Sequence, residues 1–233
     1  MSGKVALVTG VGPGNGASFC RALAGAGYRV AMLARDAQRL QALESAIAGT
    51  RGYPTDVAER ANLQATLAAV ASELGPIEVV IHNAGSAQFS NFLDTKPEAL
   101  DEQFRINTLA LLVIGQAVVP AMLERDGGTF IVIGATASLR GGAPFAGFAP
   151  AKAAQRSLAQ SMARGLGPQG IHVAYVIVDG VIDTPRTRSF LRDQPDAFFL
   201  APDAVAASVM HLIQQDRSAW TFELDLRPFG ERW

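Results

Sequence analysis

The alternation of two hydrophobic periods is the feature that most constrains the fold of this chain. Short runs rich in β-branched residues, such as KVALVT (4–9), IEVVIH (77–82) and IHVAYVIV (171–178), alternate with longer alanine- and leucine-rich runs of helical period. Strands that alternate with helices in this way predict βαβ units and a parallel sheet. Several strands are apolar on both faces, which indicates that helices cover both sides of the sheet. We therefore expect a three-layer, doubly wound α/β fold.

The period of each run predicts seven strands and six helices. The strands lie at 4–9, 29–33, 51–54, 77–82, 128–134, 171–178 and 220–226, and the helices lie at 16–26, 37–48, 58–74, 98–124, 149–166 and 202–215. No linker divides the chain, so we expect one domain over residues 1–233. Residues 181–201 show no clear period. Because loops beyond the carboxyl ends of the strands form the ligand crevice, we predict a mobile flap over substrate there; the alternative is a solvated surface loop.

The charge composition limits the kinds of molecule that this protein can bind. The 20 Lys and Arg residues nearly balance the 21 Asp and Glu residues, so no broad field attracts nucleic acid or an anionic membrane. We expect a small-molecule substrate and self-association instead.

The lone cysteine, Cys20, allows no internal disulfide and no cysteine cluster for a metal, and we expect no metal site. The N-terminal run shows no secretory pattern, which predicts a cytoplasmic protein. The apolar run at 109–123 is short for a membrane span and is interpreted as a buried helix.

A glycine-rich turn follows the first strand. In TGVGPGNGAS, Gly10, Gly14 and Gly16 allow a tight turn, and Asn15 lies between the last two glycines. Backbone N–H groups at the start of the following helix can reach a pyrophosphate. We predict that these four residues bind a dinucleotide cofactor; the alternative is a purely structural turn.

From this turn onward the chain resembles the short-chain dehydrogenase/reductase family. The glycine pattern T-G-x-x-x-G-x-G is matched, HNAG (82–85) is similar to the family's N-N-A-G, and further motifs recur in order along the chain. The resemblance implies a Rossmann-type fold with a seven-stranded, mostly parallel sheet, and a nicotinamide cofactor. It implies cofactor contacts from Asp56, Asn83, Ala84, Gly85, Lys152, Gly180 and Thr184, and a catalytic role for Asn107 and Lys152.

Charge at the end of the second strand bears on the choice between NADP and NAD. The discriminating place of the family holds Ala34, followed by Arg35, whose planar guanidinium suits a 2′-phosphate. We therefore favour NADP and expect Arg35 to bind it. Asp36 lies 20 residues after Gly16, which is the approximate offset of an NAD-type carboxylate. The alternative role of Asp36 is a cap on the helix that follows.

Two catalytic hydroxyls implied by the resemblance are missing. The family carries a Tyr four residues before its Lys and a Ser thirteen residues earlier, and these places hold Phe148 and Ala135. Ser138 and Thr136 lie on the same loop as alternative hydroxyls. Asp179, which stands where the family usually has a proline, and Lys152 are alternative proton donors. The alternatives are small turn residues for Thr136 and Ser138, and a solvated or capping role for Asp179.

Two functions are compatible with these motifs. One is an NADP(H)-dependent oxidoreductase with an altered proton-donor set that acts on a small carbonyl or an activated alkene. The other is a catalytically silent NADP(H)-binding protein that serves as a sensor or an assembly subunit. The segment LRGGAPF (139–145), which contains Arg140, and the three arginines Arg186, Arg188 and Arg192 are candidates for binding an anionic group on substrate. Ordinary solvated arginines are the alternative. The family resemblance also implies a homodimer or homotetramer, formed through helices 98–124 and 149–166 and the last strand.

Overall fold

A parallel sheet forms the centre of the molecule. The computed structural model describes residues 3–125 and 127–231. Its strands are β1 (Val5–Thr9), β2 (Arg29–Ala34), β3 (Thr50–Pro54), β4 (Ile77–His82), β5 (Gly128–Ala135), β6 (Ile171–Val178), β7 (Val181–Ile182), β8 (Phe199–Leu200) and β9 (Glu223–Leu226). Seven of them form one sheet in the order β3-β2-β1-β4-β5-β6-β9, and each neighbouring pair is parallel. The order reverses beside β1, where a doubly wound sheet opens its ligand crevice.

Helices cover both faces of this sheet. They are α1 (Asn15–Gly25), α2 (Ala37–Ala46), α3 (Arg60–Leu74), α4 (Pro97–Phe104), α5 (Ala110–Leu123), α6 (Phe148–Leu166), α7 (Pro185–Phe190) and α8 (Pro202–Ile213). Along β1, Val5 and Leu7 enter the core shared with α3, α5 and α6. Ala6 and Val8 enter the core shared with α1, α2 and α8. Successive side chains of a strand point to opposite faces, so both faces of β1 are dry.

The predicted α/β fold with seven parallel strands is confirmed. One predicted element is divided in the structure: the helix expected over 98–124 consists of α4, a π-helical turn at Arg105–Leu109, and α5. Such turns shift the register of a helix by one residue and re-aim the side chains they carry. Periodicity alone does not reveal this turn, because the apolar pattern continues through it.

The interval without clear period also contains regular structure. Residues 181–201 include β7, α7 and β8, and β7 pairs with β8 in a small parallel ribbon. Gly180 directly precedes the interval and has a φ of 152°, in the region that favours glycine. A Cβ there would lie 2.8 Å from Cδ of Pro228, so the close approach of these two segments also requires glycine.

By length and composition, one helix among the described residues would suffice to cross a membrane. It is Pro97–Leu123, and 44% of its most apolar window is buried inside the fold. Buried side chains of its second half, including Leu111 and Ile114, pack in the core against the sheet. A core helix of an α/β domain meets the same length and composition criterion.

Candidate active site

A cleft of about 800 Å³ lies at the carboxyl edge of the sheet, beside β1, β2 and β4. It is lined by residues 10–12, 33–36, 55–57 and 84–88, together with Arg39, Glu102, Ile106 and Arg186. These segments follow four different strands and meet because the carboxyl ends of parallel strands share one edge. The predicted cofactor residues Gly10, Arg35, Asp56, Ala84 and Gly85 are therefore brought together in one cleft.

The start of the glycine turn is bound closely to the segment after β4. Gly10 has a φ of 68°, and a Cβ there would lie 2.5 Å from Cα of Ala84. The side-chain amide of Asn83 donates a 2.8 Å hydrogen bond to the Gly10 carbonyl, and Ala84 N donates to Thr9 Oγ1 at 3.1 Å. Only glycine allows this backbone contact. Asn83 consequently helps to fix the shape of the turn.

The second half of the turn contacts residues 181–201. A Cβ on Gly14 would lie 2.8 Å from Cγ2 of Thr184, and a Cβ on Gly16 would lie 2.7 Å from Cα of Val11. The Thr184 side chain also caps α7. Asn15 begins α1 and is buried at 8% exposure, and within residues 3–125 and 127–231 no donor reaches its Oδ1. Thr184 therefore packs against the glycine turn.

Positive charge dominates the end of β2. Arg35 and Arg39 both line the cleft. Asp36 caps α2, with Oδ1 accepting from Arg39 N at 3.0 Å and Oδ2 lying 3.1 Å from Arg39 Nη2. Both carboxylate oxygens are therefore engaged by Arg39, and the capping role of Asp36 is the one the structure shows. Across the cleft, Asp56 accepts a hydrogen bond from Ala58 N at 3.0 Å.

Lys152 lies behind the cleft wall. Its Nζ donates to the Ile133 carbonyl at 2.9 Å and to Oε1 of Gln155 at 3.0 Å. A Cβ on Gly85, which lines the cleft, would lie 3.7 Å from that Nζ, so the amine lies next to the cleft wall. Burial lowers the pKa of Lys152 to about 7, because an apolar environment disfavours the charged amine. The amine can consequently gain or lose a proton near neutral pH.

Asn107 lies in the π-helical turn and is fully buried. Its Nδ2 donates to the Ser86 carbonyl at 3.0 Å, and its own carbonyl accepts from Nε2 of Gln155 at 2.8 Å. Its Oδ1 would lie 3.3 Å from a Cβ on Gly85, and no donor in the described part of the chain reaches it. Asn107 and Lys152 thus approach the same point of the cleft wall.

His82 is buried beneath these groups. Its Nδ1 lies 3.1 Å from Thr9 Oγ1. Burial and, to a smaller extent, the charge of Lys152 lower the pKa of His82 to about 3, against the opposing effect of the backbone of Asn107. His82 is therefore neutral at physiological pH and serves the packing beneath the cleft.

The candidate donors after β5 and β6 separate into two groups. Thr136 Oγ1 donates a short 2.5 Å hydrogen bond to Oδ1 of Asp179, whose Oδ2 lies 3.7 Å from Nη2 of Arg227. Ser138 Oγ instead donates to the carbonyl of Ala135 at 2.7 Å. Thr136 and Asp179 form a pair at the carboxyl edge of the sheet, whereas the Ser138 hydroxyl is bound to its own loop.

Arg186 and Arg188, two of the arginines predicted to bind an anionic group, differ in their surroundings. Arg186 lines the cleft. Arg188 forms two 2.8 Å hydrogen bonds with Asp183 and one of 2.7 Å with Asp196. Its guanidinium also lies 4.0 Å from the ring centroid of Phe199. Two carboxylates neutralise Arg188, so the structure does not support an anion site at this residue.

Sequence reasoning missed three residues near the cleft. Arg39 lies one helical turn after Arg35, and that spacing was a usable signal. Gln155 is a polar residue on the buried stripe of α6, three positions after Lys152, which is a weaker signal. Tyr175 gives no signal in the sequence, because it lies in a strand whose residues are all buried. Its hydroxyl is 3.4 Å from Gln155 Oε1, and burial raises its pKa to about 12.

The buried and charged groups do not suggest a metal centre. Across residues 3–125 and 127–231, no cluster of three or more His, Cys, Asp or Glu side chains is arranged to hold a metal ion. Burial raises the pKa of the Cys20 thiol to about 12, which disfavours the thiolate that binds metals.

Comparison with known proteins agrees with this geometry. Residues 4–195 match the family described as short chain dehydrogenase. D-xylose 1-dehydrogenase of Caulobacter vibrioides is 31% identical over 231 residues, which cover 95% of this chain and 92% of that protein. A short-chain dehydrogenase from Rhodopseudomonas palustris superposes with a TM-score of 0.83 at 34% identity, covering 97% of this chain and 99% of that one. A metagenomic short-chain oxidoreductase, solved in complex with NADP, superposes with a TM-score of 0.84 at 26% identity and 97% coverage of both chains. The chain therefore belongs to the short-chain dehydrogenase family of oxidoreductases.

Proposed function

We propose that this protein is an NADP(H)-dependent oxidoreductase with an altered proton-donor set, acting on a small carbonyl or an activated alkene. The observation that carries the cofactor choice is the charge at the end of β2. Arg35 and Arg39 line the cleft, while each carboxylate oxygen of Asp36 already contacts Arg39, which offsets the negative charge that would repel a 2′-phosphate. The metagenomic relative solved with NADP supports the same choice.

The cleft residues fit a dinucleotide. The backbone of Gly10 and Gly12 would hold the pyrophosphate, Arg35 the 2′-phosphate, Asp56 the adenine end, and Lys152 the nicotinamide ribose. A Cβ at Gly12 would meet no atom within 4 Å, which leaves that backbone open to the cleft. When bound, the cofactor would supply a hydride, so the reduction of a substrate also needs one proton.

The proton source is the altered part of the proposal. The places at which the family carries its Ser and Tyr hold Ala135 and Phe148, and neither side chain can donate a hydrogen bond. Lys152, with a pKa lowered to about 7 by burial, can exchange a proton at Nζ. Thr136 and Asp179 supply a second route. In the oxidation of an alcohol, the Thr136 oxygen accepts the proton of the alcohol while the Asp179 carboxylate accepts the proton of the Thr136 hydroxyl. In a reduction the same relay runs in reverse, and the proton held by Asp179 returns through Thr136 to the substrate oxygen.

The alternative function is a catalytically silent NADP(H)-binding protein. Two observations favour it: Phe148 lacks the hydroxyl, and the Lys152 amine already has two protein acceptors, Ile133 O and Gln155 Oε1. Such a protein would keep the cleft and its affinity for the cofactor without turnover.

NADPH consumption separates the two functions. The wild type and the double variant Ala135→Ser, Phe148→Tyr are assayed with aldehydes, ketones, dicarbonyls and enones, after NADPH binding has been measured by fluorescence. Turnover by the wild type that is lost in Lys152→Met supports the oxidoreductase. Turnover by the double variant alone supports the silent binding protein. Failure of both proteins to bind NADPH contradicts both functions.

The homo-oligomer predicted by the resemblance is part of this proposal. A largely apolar groove of about 530 Å³ lies between α5 and α6, and Leu112 on its wall is 39% exposed. We propose that a second copy covers this groove, in a homodimer or homotetramer. Light scattering of the wild type and of Leu112→Glu tests it: a monomer mass for the wild type would contradict self-association.

We also propose that residues 181–201 cover the substrate, since Thr184 contacts the glycine turn and Arg186 lines the cleft.

A further inference from the structure

Three phenylalanine rings pack together beside the cleft. The ring centroids of Phe89 and Phe145 are 5.3 Å apart, those of Phe89 and Phe148 are 6.0 Å apart, and those of Phe145 and Phe148 are 6.3 Å apart. The two pairs that include Phe148 are edge-to-face, at 83° and 80°. Rings at these distances and angles attract one another. Phe89 is nevertheless 65% exposed, so the cluster keeps an open side.

The chain connects this aromatic cluster directly to the cofactor cleft. Residues 84–88 line the cleft, and Phe89 is the next residue. A parallel bridge between Ser90 and Phe145 ties this segment to the loop before α6. Phe148 is the first residue of α6 and precedes Lys152 by four positions, so the two side chains leave the same face of the helix. The aromatic cluster and the buried amine thus adjoin the same end of the cleft.

The polar groups around the cluster are bound to one another. The side-chain amide of Gln88 donates to Glu102 at 2.9 Å, and the hydroxyls of Ser90 and Thr95 share a 2.6 Å hydrogen bond. The cluster itself offers no donor, acceptor or charge. The rings give a molecule that covers them apolar burial and ring contacts, and Arg140 lines a smaller pocket together with Phe145.

We propose that Phe89, Phe145 and Phe148 form the substrate-binding wall and that the preferred substrate is a planar, aromatic or conjugated ketone or enone. The inference rests on the proposed function, because it places the reacting carbonyl or alkene at the Lys152 end of the cleft. A flat π system can lie against ring faces and edges that a puckered saturated ring of similar size meets poorly. The apolar wall also gives Phe148 a role that does not need a hydroxyl.

Ligand binding tests the wall without turnover. The probes are 2-acetylnaphthalene and its saturated counterpart 2-acetyldecalin, titrated by calorimetry into protein saturated with NADP⁺, which cannot reduce them. We expect the planar probe to bind at least about tenfold more tightly, which corresponds to about 1.4 kcal/mol. Phe89→Leu and Phe145→Leu keep apolar volume but remove a ring, and we expect each to reduce the preference to about twofold or less.

Phe92→Leu is the matched control, because Phe92 is 82% exposed on the same loop and is not a member of the cluster. It should keep the full preference, and thermal unfolding confirms that every variant is folded. Equal affinity for the two probes, or an equal loss in Phe92→Leu, would overturn the inference. So would a Phe89→Leu variant that binds both probes normally but changes the molecular mass, since the cluster would then join copies of the chain. If NADP⁺ itself fails to bind, the proposed function fails, and the same titration of the protein alone still decides the role of the cluster.

Discussion

The side-chain oxygen of Gln155 accepts a 3.0 Å hydrogen bond from the buried amine of Lys152, three residues earlier on α6. The other end of the same amide donates to the carbonyl of Asn107 at 2.8 Å. Gln155 is fully buried, so neither contact competes with water. One side chain therefore joins the amine behind the cleft to the π-helical turn that carries Asn107.

Replacing Gln155 should disturb both of its partners. Gln155→Leu leaves the Asn107 carbonyl without this donor and removes one of the two acceptors of Lys152, which should lower the free energy of unfolding by about 1–3 kcal/mol. Gln155→Glu places a carboxylate beside the amine and should raise the pKa of Lys152. Urea unfolding measures the first effect, and the pH dependence of NADP⁺ binding measures the second. Gln160→Leu, at a partly buried position on the same helix, is the control and should change neither quantity. Unchanged stability of Gln155→Leu would show that the two hydrogen bonds are not formed in solution.

Lys152 makes the stability of the fold depend on pH. Its pKa is lowered from 10.5 to about 7 by burial, so between these values the unfolded chain binds more protons than the folded one. Stability should therefore rise with pH over this window, by up to about 1.4 kcal/mol per pH unit relative to Lys152→Met. Below pH 7 the amine is charged in both states, and the difference between the two proteins should be flat.

Urea unfolding of the cofactor-free protein from pH 6 to pH 9.5 measures this difference. Lys4→Met is the control, because the Lys4 side chain is 69% exposed. A constant difference between the wild type and Lys152→Met over the whole range would mean that the amine is charged, and hydrated or paired, in the folded protein.

The sequence was enough to predict that the residues of the cleft meet, but not to predict the polar groups behind the cleft. Gly10, Arg35, Asp56 and Gly85 follow different strands, and parallel strands bring their carboxyl ends to one edge, so local patterns were enough to group these residues. Gln155 is different: its partner Asn107 lies 48 positions away, and their contact depends on how α6 packs against the π-helical turn. Local periodicity describes only residues that are close along the chain, so it cannot predict such a contact. In the sequence, a buried glutamine on a helix cannot be distinguished from an exposed one.

Gly134 shows the same limit in the core. A Cβ on Gly134 would lie 2.2 Å from Cε1 of Tyr175, which is fully buried on the neighbouring strand. Gly134→Ala should therefore lower the free energy of unfolding by about 1–3 kcal/mol through overpacking. Tyr175→Val removes the ring, so the alanine should cost less in the double variant than in the wild type. Gly165→Ala is the control, since a Cβ there meets no atom within 4 Å and alanine favours the helix. Additive effects of the two core changes would contradict the contact.

Arg35 provides the test of cofactor choice. It is exposed at the end of β2, and among the described residues no carboxylate pairs with it, whereas the guanidinium of Arg39 is paired with Asp36. A charge-assisted hydrogen bond to a 2′-phosphate should be lost in Arg35→Ala, which should weaken NADPH binding by about tenfold or more and NADH binding by less than about twofold. Arg51→Ala is the matched control, because Arg51 pairs with Glu73 and lies outside the cleft lining. Fluorescence titration with each nucleotide at two salt concentrations gives both dissociation constants and shows whether the loss follows screening. An equal loss for NADPH and NADH would show that Arg35 does not read the phosphate, and a wild type that binds NADH more tightly would assign the cleft to NAD.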